Sequence, residues 1–446
     1  MKSVLYFPLL PNANKQQIFD ALCMALARTA NDIPEILCCI QLSTRNHRDE
    51  VELLFDRDVG AEVYYKDYTS AELHGLWRYG TFQQLEREHF PLGKIPGPAI
   101  FATAAPLTGD IRLPALTVNA NFIPGGLLLA YRLHHVAGDG KSNFLFTTAL
   151  GTHFAAIRTE PTALRPAQLI PRNDVSDDTY NVTLDEFAHF KLADDGLDGF
   201  NSAAIKSDDV FTYGTYFISA SKLASLKNEV SGACAETKLG KLDALSALLW
   251  SHVVAARDVD GSKYPEAKLS LTVDCRDRMK NCEIRSNYWG NFAEPNAVAV
   301  LPVESLQRGA EHATASHYVE AARRVKKALA AVDDTAVRRL NALLKQMPKA
   351  TTLTWKVNRH PGPDMLLVCL QGHRYNHIYF GKELGYSSAY RGTFGDAEPR
   401  PDGRCLILPP RREDEGGLEV LLCYDHQTLD RLENDAQFAR YFTRRN

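Results

Sequence analysis

The sequence contains no C-x-x-C pair, although it carries nine cysteines, and that count is odd. Cys38 and Cys39 are adjacent and the rest are scattered. Such usage fits reduced thiols and argues against a disulfide framework. Charge imbalance is also missing: 51 Lys and Arg against 54 Asp and Glu leave a net charge of −3. A nucleic-acid binder normally carries a strongly basic face, so that class is set aside. No run approaches the ~18 apolar residues a membrane span requires. The opening MKSVLYFPLLP is broken by Pro8 and Pro11 before a signal-peptide core can form. A soluble, cytoplasmic setting is the expectation. Short repeats, low-complexity tracts and the nucleophile elbow G-x-S-x-G are absent as well.

What is present reads as a globular α/β chain of 446 residues, long enough for two cores of roughly 200 residues each. VLYFPLL, ILCCIQL, VELLFD, ALTVNANFI and GGLLLAYRL read as strands, and the IPGG between the last two signals a hairpin. KQQIFDALCMALART has apolar residues at helical spacing, and ELHGLWRYGTFQQLERE reads as a charged helical segment. SNFLFTTALGTHFAAIRT is a further helix. Prolines and then acidic residues dominate 161–209, a composition that suits a crossover between an N-terminal lobe, 1–160, and a C-terminal lobe, 210–446. In the second half KLDALSALLWSHVVAARD reads as a strong helix, MLLVCLQG and LEVLLCYDH as strands, and LDRLENDAQFARYF as one closing helix.

RLHHVAGDG, 132–140, carries the densest chemistry. GDGKS ends like a phosphate loop, but that motif needs a glycine five positions before Gly140, and His135 stands there. A shared metal is poorly served by His134 and His135, because neighbours on extended backbone point to opposite faces. HATASH lacks the glutamate and spacing of a zinc-protease helix, so no metal is expected. Two readings remain open on chemistry alone. His135 is a buried, hydrogen-bonded histidine at a strand end, or it is a general base whose near-neutral imidazole takes a proton from an attacking alcohol or amine.

The block ALTVNANFIPGGLLLAYRLHHVAGDG resembles the centre of the BAHD family of coenzyme-A-dependent acyltransferases, whose signature is His-x-x-x-Asp-Gly after a strand opened by Gly-Gly. LTVDCRDRM followed by NYWGNF is similar to the family's Val-Asp-x-Arg-x-Arg and Tyr-Phe-Gly-Asn blocks. GGLEVLLCYDHQTLDRLENDAQFARYF is similar to its C-terminal strand and helix. The nearest flavour is the fungal trichothecene O-acetyltransferase branch. The resemblance implies two similar chloramphenicol-acetyltransferase-like lobes, each a mixed sheet with helices, and a tunnel between them. It implies His135 as general base, Asp139 and Gly140 as structural members of the motif, and Arg276, with Arg278 second, as partner of Asp139. Trp289, Gly290 and Asn291 are placed near the tunnel, and His134 in the fold. One departure stands out. Where the family has Asp-Phe-Gly-Trp-Gly, this chain has Tyr379-Phe380-Gly381-Lys382-Glu383.

The same resemblance implies transfer of an acyl group, acetyl by analogy with the branch, from acyl-CoA to a hydroxyl of a small hydrophobic secondary metabolite. No covalent enzyme intermediate and no bound cofactor are implied, and a monomer is expected. The alternatives are an amine acceptor, or a relative that binds a metabolite or promotes another reaction in the tunnel.

Overall fold

The two apolar runs around IPGG fold as the expected hairpin, Leu116–Ile123 paired antiparallel with Gly126–Leu133. Every residue of the first strand is buried, and only Arg132 of the second is not. Strands covered on both faces read as continuous apolar runs, which is why they are legible in sequence. The computed structural model describes residues 1–42, 51–102, 112–157, 180–192, 211–234, 236–280, 282, 284, 286–293, 297–312, 314–347, 353–393 and 403–446. Of the crossover expected over 161–209, only 180–192 falls among them.

The hairpin lies inside a five-stranded sheet. Its order is Ala389–Thr393, Lys2–Pro8, Gly126–Leu133, Leu116–Ile123, Glu62–Asp67, with only the last pair parallel. Helices Lys15–Asp32 and Gly140–Ala155 pack on one face, where Leu22, Leu26, Phe146 and Leu150 meet Leu5, Val118 and Leu129. On the other face Val4, Tyr6 and Leu128 meet Phe82, Leu85 and Phe90. A strand from after residue 210, Ala389–Thr393, thus completes the first sheet.

The second sheet has seven strands among the described residues: Ala297–Pro302, Glu266–Leu271, Met365–Cys369, Arg404–Ile407, Leu418–Asp425, Phe211–Ile218 and Thr443–Arg444. The pairs of Met365–Cys369 with Glu266–Leu271 and with Arg404–Ile407 are parallel, and the others antiparallel. Its core is filled by helices Ala220–Gly232, Lys241–Arg257 and Ala315–Ala331, through Leu226, Leu249, Trp250, Val253 and Val325. The architecture is two mixed-sheet α/β lobes.

Two helical expectations need correction. The segment read as a charged helix is a short turn at His74–Leu76 and a separate helix, Phe82–Arg87. Gly80, at φ +90°, breaks the chain, and Thr81 with Gln84 forms a capping box that starts the helix afresh. The closing helix is two, His426–Asn434 and Ala436–Tyr441. Asp435 divides them: its carboxylate accepts from Gln437 N and Phe438 N and holds His252 Nδ1 at 2.5 Å.

The lobes are also joined by buried charge. Arg391, on the late strand of the first sheet, makes a bidentate pair with Glu419 of the second at 2.9 and 3.2 Å. Both side chains are buried. Among the described residues, no helix is long and apolar enough to cross a membrane.

Candidate active site

The strand Gly126–Leu133 ends where His134 N donates to Ala115 O at 2.8 Å, and the chain then turns toward the second lobe. Asp139 stops the turn as N-cap of the helix Gly140–Ala155. Its carboxylate accepts from Ser142 N at 3.0 Å, the usual way a cap satisfies a first-turn amide.

The remaining capacity of Asp139 goes across the lobe boundary. Arg276 follows the strand Glu266–Leu271 and donates Nη1 to Oδ2 at 2.9 Å and Nη2 to Oδ1 at 3.0 Å; Phe292 N adds a third bond at 2.8 Å. Burial alone would raise the Asp139 pKa, but the Arg276 guanidinium and the N–H donors outweigh it and hold it below the usual value. Arg276 commits all five of its donors: two to Asp139, and one each to Asp274 Oδ1 (2.8 Å), Tyr288 O (3.0 Å) and Gly290 O (2.7 Å). Arg278, named second, does not join this group. Its guanidinium donates to Leu329 O and Val332 O and so ties down the end of helix Ala315–Ala331.

The same turn fixes the three residues expected near the site. Trp289 is buried in the core of the first lobe. Gly290 sits at φ +124°, where a Cβ would lie 3.1 Å from Tyr288 Oη, so a side chain there is both strained and crowded. Asn291 Nδ2 donates to His135 O at 2.7 Å and clamps the histidine backbone. Gly140 is different. A Cβ there would meet Leu370 Cδ2 at 3.7 Å and His373 Cε1 at 3.8 Å, ordinary contacts, so protein crowding does not demand glycine at that position.

The imidazole of His135 reaches solvent. Protein nevertheless surrounds it closely enough that burial holds its pKa below the ordinary histidine value. An accessible ring whose pKa lies below the ordinary histidine value is largely neutral at pH 7 and can accept a proton. Burial takes the His134 pKa further down, to about 4, and its Nδ1 accepts from Val136 N at 3.3 Å. Asp139 is occupied by Arg276, so it is not free to orient the His135 ring. Among the described residues no cluster of His, Cys, Asp or Glu is arranged to hold a metal.

Sequence reasoning missed Ser142. Its Oγ accepts from Gly290 N at 3.0 Å and donates to Gly290 O at 2.9 Å, a second polar link across the boundary. The signal was in hand, since Ser142 closes the GDGKS discarded as a phosphate loop.

The altered second motif lies against the far end of the motif helix. Phe380 is buried, 5.0 Å from Phe7 and 6.2 Å from Phe154, ring centroid to centroid. Gly381 takes φ +74°, where a Cβ would crowd Ala155 Cα at 3.2 Å. Backbone bonds Phe380 N to Gly385 O and Gly385 N to Gly381 O close the loop, and Tyr379 pairs with Tyr386. Aromatic and glycine packing thus holds this loop with tyrosine in place of the motif's aspartate. Lys382 is exposed. Lys382→Ala is accordingly expected to leave both melting temperature and turnover at wild-type values, within the ~0.5 kcal/mol typical of surface changes.

Known proteins are similar to this chain in sequence and in fold. The profile of the Transferase family matches residues 107–439. The acyltransferase easC of Emericella nidulans is 26% identical over 99% of this chain and 91% of its own length. The anthranilate N-benzoyltransferase protein 1 of Dianthus caryophyllus is 26% identical over 75% of this chain and 69% of its own. In fold, the chain resembles F. graminearum TRI101, solved with coenzyme A and T-2 mycotoxin. That TM-score is 0.81 at 18% identity, covering 100% of this chain and 96% of the other. With a profile match spanning the His-x-x-x-Asp-Gly block, the Arg276 turn and the C-terminal strand, the chain belongs to the Transferase family, the BAHD acyltransferases.

Proposed function

We propose that this protein transfers an acyl group, acetyl first, from acyl-CoA to a hydroxyl of a small hydrophobic metabolite. It does so as a cytoplasmic monomer, with the substrates meeting in a tunnel between lobes of 1–160 and 210–446. His135 removes the acceptor proton as the acceptor oxygen attacks the thioester carbonyl. The tetrahedral intermediate collapses with cleavage of the C–S bond, and the imidazolium returns its proton to the departing thiolate. No enzyme-bound acyl group is needed, because the thioester is already activated.

One observation carries the reading: the His135 ring is open to ligand and neutral, on a backbone held from both lobes. Asp139 and Arg276 hold the turn, with Gly140 at the helix start, and Trp289, Gly290 and Asn291 support it from the second lobe. The names of easC and of TRI101's ligands agree with acyl transfer from coenzyme A. An amine acceptor is the second reading, favoured by the N-benzoyltransferase among the relatives; the same base serves both.

The test is thiol release from acetyl-CoA with a panel of small hydrophobic alcohols and amines, alongside thermal stabilisation by acetyl-CoA. A protein that neither binds coenzyme A nor releases thiol with any acceptor overturns the proposal. The pH profile gives a further check. A base must be unprotonated to act, so activity is present above its pKa and lost as pH falls through it. Because burial depresses the His135 pKa, the acid limb of kcat/KM is expected below the ~6.5 of a free histidine. A midpoint at or above 6.5 would remove His135 from that role.

A further inference from the structure

The second sheet carries a cavity at the end away from the Arg276 turn. Lys268 is the third residue of the strand Glu266–Leu271, and Asp364 directly precedes the parallel strand Met365–Cys369. Both residues line the cavity. Arg276 follows the far end of Glu266–Leu271, so the cavity and the turn that holds Asp139 lie at opposite ends of one sheet. A small antiparallel pair, Phe190–Leu192 with Leu353–Trp355, supplies part of the wall through Lys191 and Trp355. The volume is about 490 Å³, within the roughly 300–1,000 Å³ of small-molecule sites.

The walls carry charge of nearly one sign. Lys191, Lys268 and Lys356 all line the space. Lys268 Nζ donates to Lys356 O at 2.6 Å, an uncharged acceptor. Lys191 and Lys356 are exposed, and their ammonium groups make no ion pair or hydrogen bond among the described residues. The carboxylate in the lining, Asp364, is buried and already spent on backbone. Its oxygens accept from Lys268 N and Asn358 N, each at 2.7 Å. The field of the lysines is felt next door: burial, with Lys268 and Lys356 adding to it, holds the His189 pKa below the ordinary histidine value. Like charges gathered in a cleft repel one another and draw anions from solution.

An aromatic surface lies among these lysines. Trp355 packs on Phe190 at 4.2 Å, ring centroid to centroid, and the half-buried indole lines the cavity. An indole beside ammonium groups suits a ligand that is aromatic at one end and polyanionic at the other. The ring offers a stacking platform for a base, and lysine binds phosphate oxygens as a point charge.

We propose that this cavity is a second ligand site, for a nucleoside polyphosphate whose base stacks on Trp355 and whose phosphates are held by Lys191, Lys268 and Lys356. It is separate from the acyl-transfer centre and stands without that reading.

ATP is the probe, followed by isothermal titration calorimetry and by quenching of tryptophan fluorescence. Two of the four tryptophans, Trp250 and Trp289, are buried in the lobe cores, and Trp355→Phe identifies the responding ring. The expected result is a single ATP site whose quenching disappears in Trp355→Phe and whose affinity falls as salt is raised. In the double variant Lys191→Ala/Lys356→Ala the ATP affinity should drop about 10-fold, the scale of a lost hydrogen bond to a charged group. Its melting temperature should stay at the wild-type value, because both side chains are exposed. Tripolyphosphate and adenosine, each half of the ligand, should bind more weakly than ATP. The KM for acetyl-CoA should be the same in the double variant as in wild type. Absence of ATP binding overturns the proposal, as does full ATP affinity in the double variant or quenching that persists in Trp355→Phe. Tripolyphosphate binding as tightly as ATP overturns the nucleoside assignment, and a raised KM for acetyl-CoA overturns the separation from the acyl-transfer centre.

Discussion

His135→Ala is expected to lower kcat for acetyl transfer by about 10²–10⁴-fold, the usual contribution of a general base. It should do so with little change in stability, because the ring is exposed and its backbone contacts, Asn291 Nδ2 to His135 O among them, do not depend on the side chain. Thiol release from acetyl-CoA and a thermal melt read the two quantities separately. Coenzyme A affinity should persist in this variant, since it loses a proton acceptor and no scaffold. Turnover within threefold of wild type would mean that the proton leaves by another route.

Arg276→Ala is expected to reverse that pattern, with stability falling first and activity following. Truncation leaves Asp139 buried with its countercharge gone, and breaking such pairs typically costs about 3–5 kcal/mol. The carbonyls of Tyr288 and Gly290 lose donors in the same step, which frees the turn carrying Asn291. Arg276→Lys keeps the charge but loses the planar fork, so it should fall between the two. Chemical denaturation monitored by tryptophan fluorescence measures the loss. The wild-type contribution also has a pH signature. A carboxylate whose folded pKa is depressed stabilises fully above its unfolded value, about 3.9, and that stability fades as pH drops through the folded pKa. The stability difference between wild type and Arg276→Ala should therefore be flat near neutrality and narrow in acid. A melting temperature equal to wild type at pH 7 would show that the link across the lobes contributes nothing.

These two residues also show what could be read in advance. The hairpin and the histidine were legible because both strands are buried on both faces and so appear as uninterrupted apolar runs ending at a polar turn. The long helices were legible from their apolar stripes. The choice of Arg276 over Arg278 came from the family resemblance and not from spacing. Both lie in one short helical turn, and which of them faces Asp139 depends on how that turn leaves the second sheet. Ser142 escaped for a related reason: its partner is 148 residues away in sequence, with no periodicity to announce it. The split of the closing helix at Asp435 was hidden because the residue that ends one helix also caps the next, and its tie to His252 is tertiary.

The strand Ala389–Thr393 pairs Thr393 with Lys2, so the edge of the first sheet waits for a segment nearly the whole length of the chain away. During synthesis the N-terminal lobe emerges first and yet stays incomplete, with Lys2–Pro8 open along one side. Contacts of such separation slow folding, and an uncovered strand invites pairing with other chains. The enzyme is therefore two lobes in architecture but one unit in its making: the first lobe is finished only after most of the second has been made, with three strands of the second sheet still to follow.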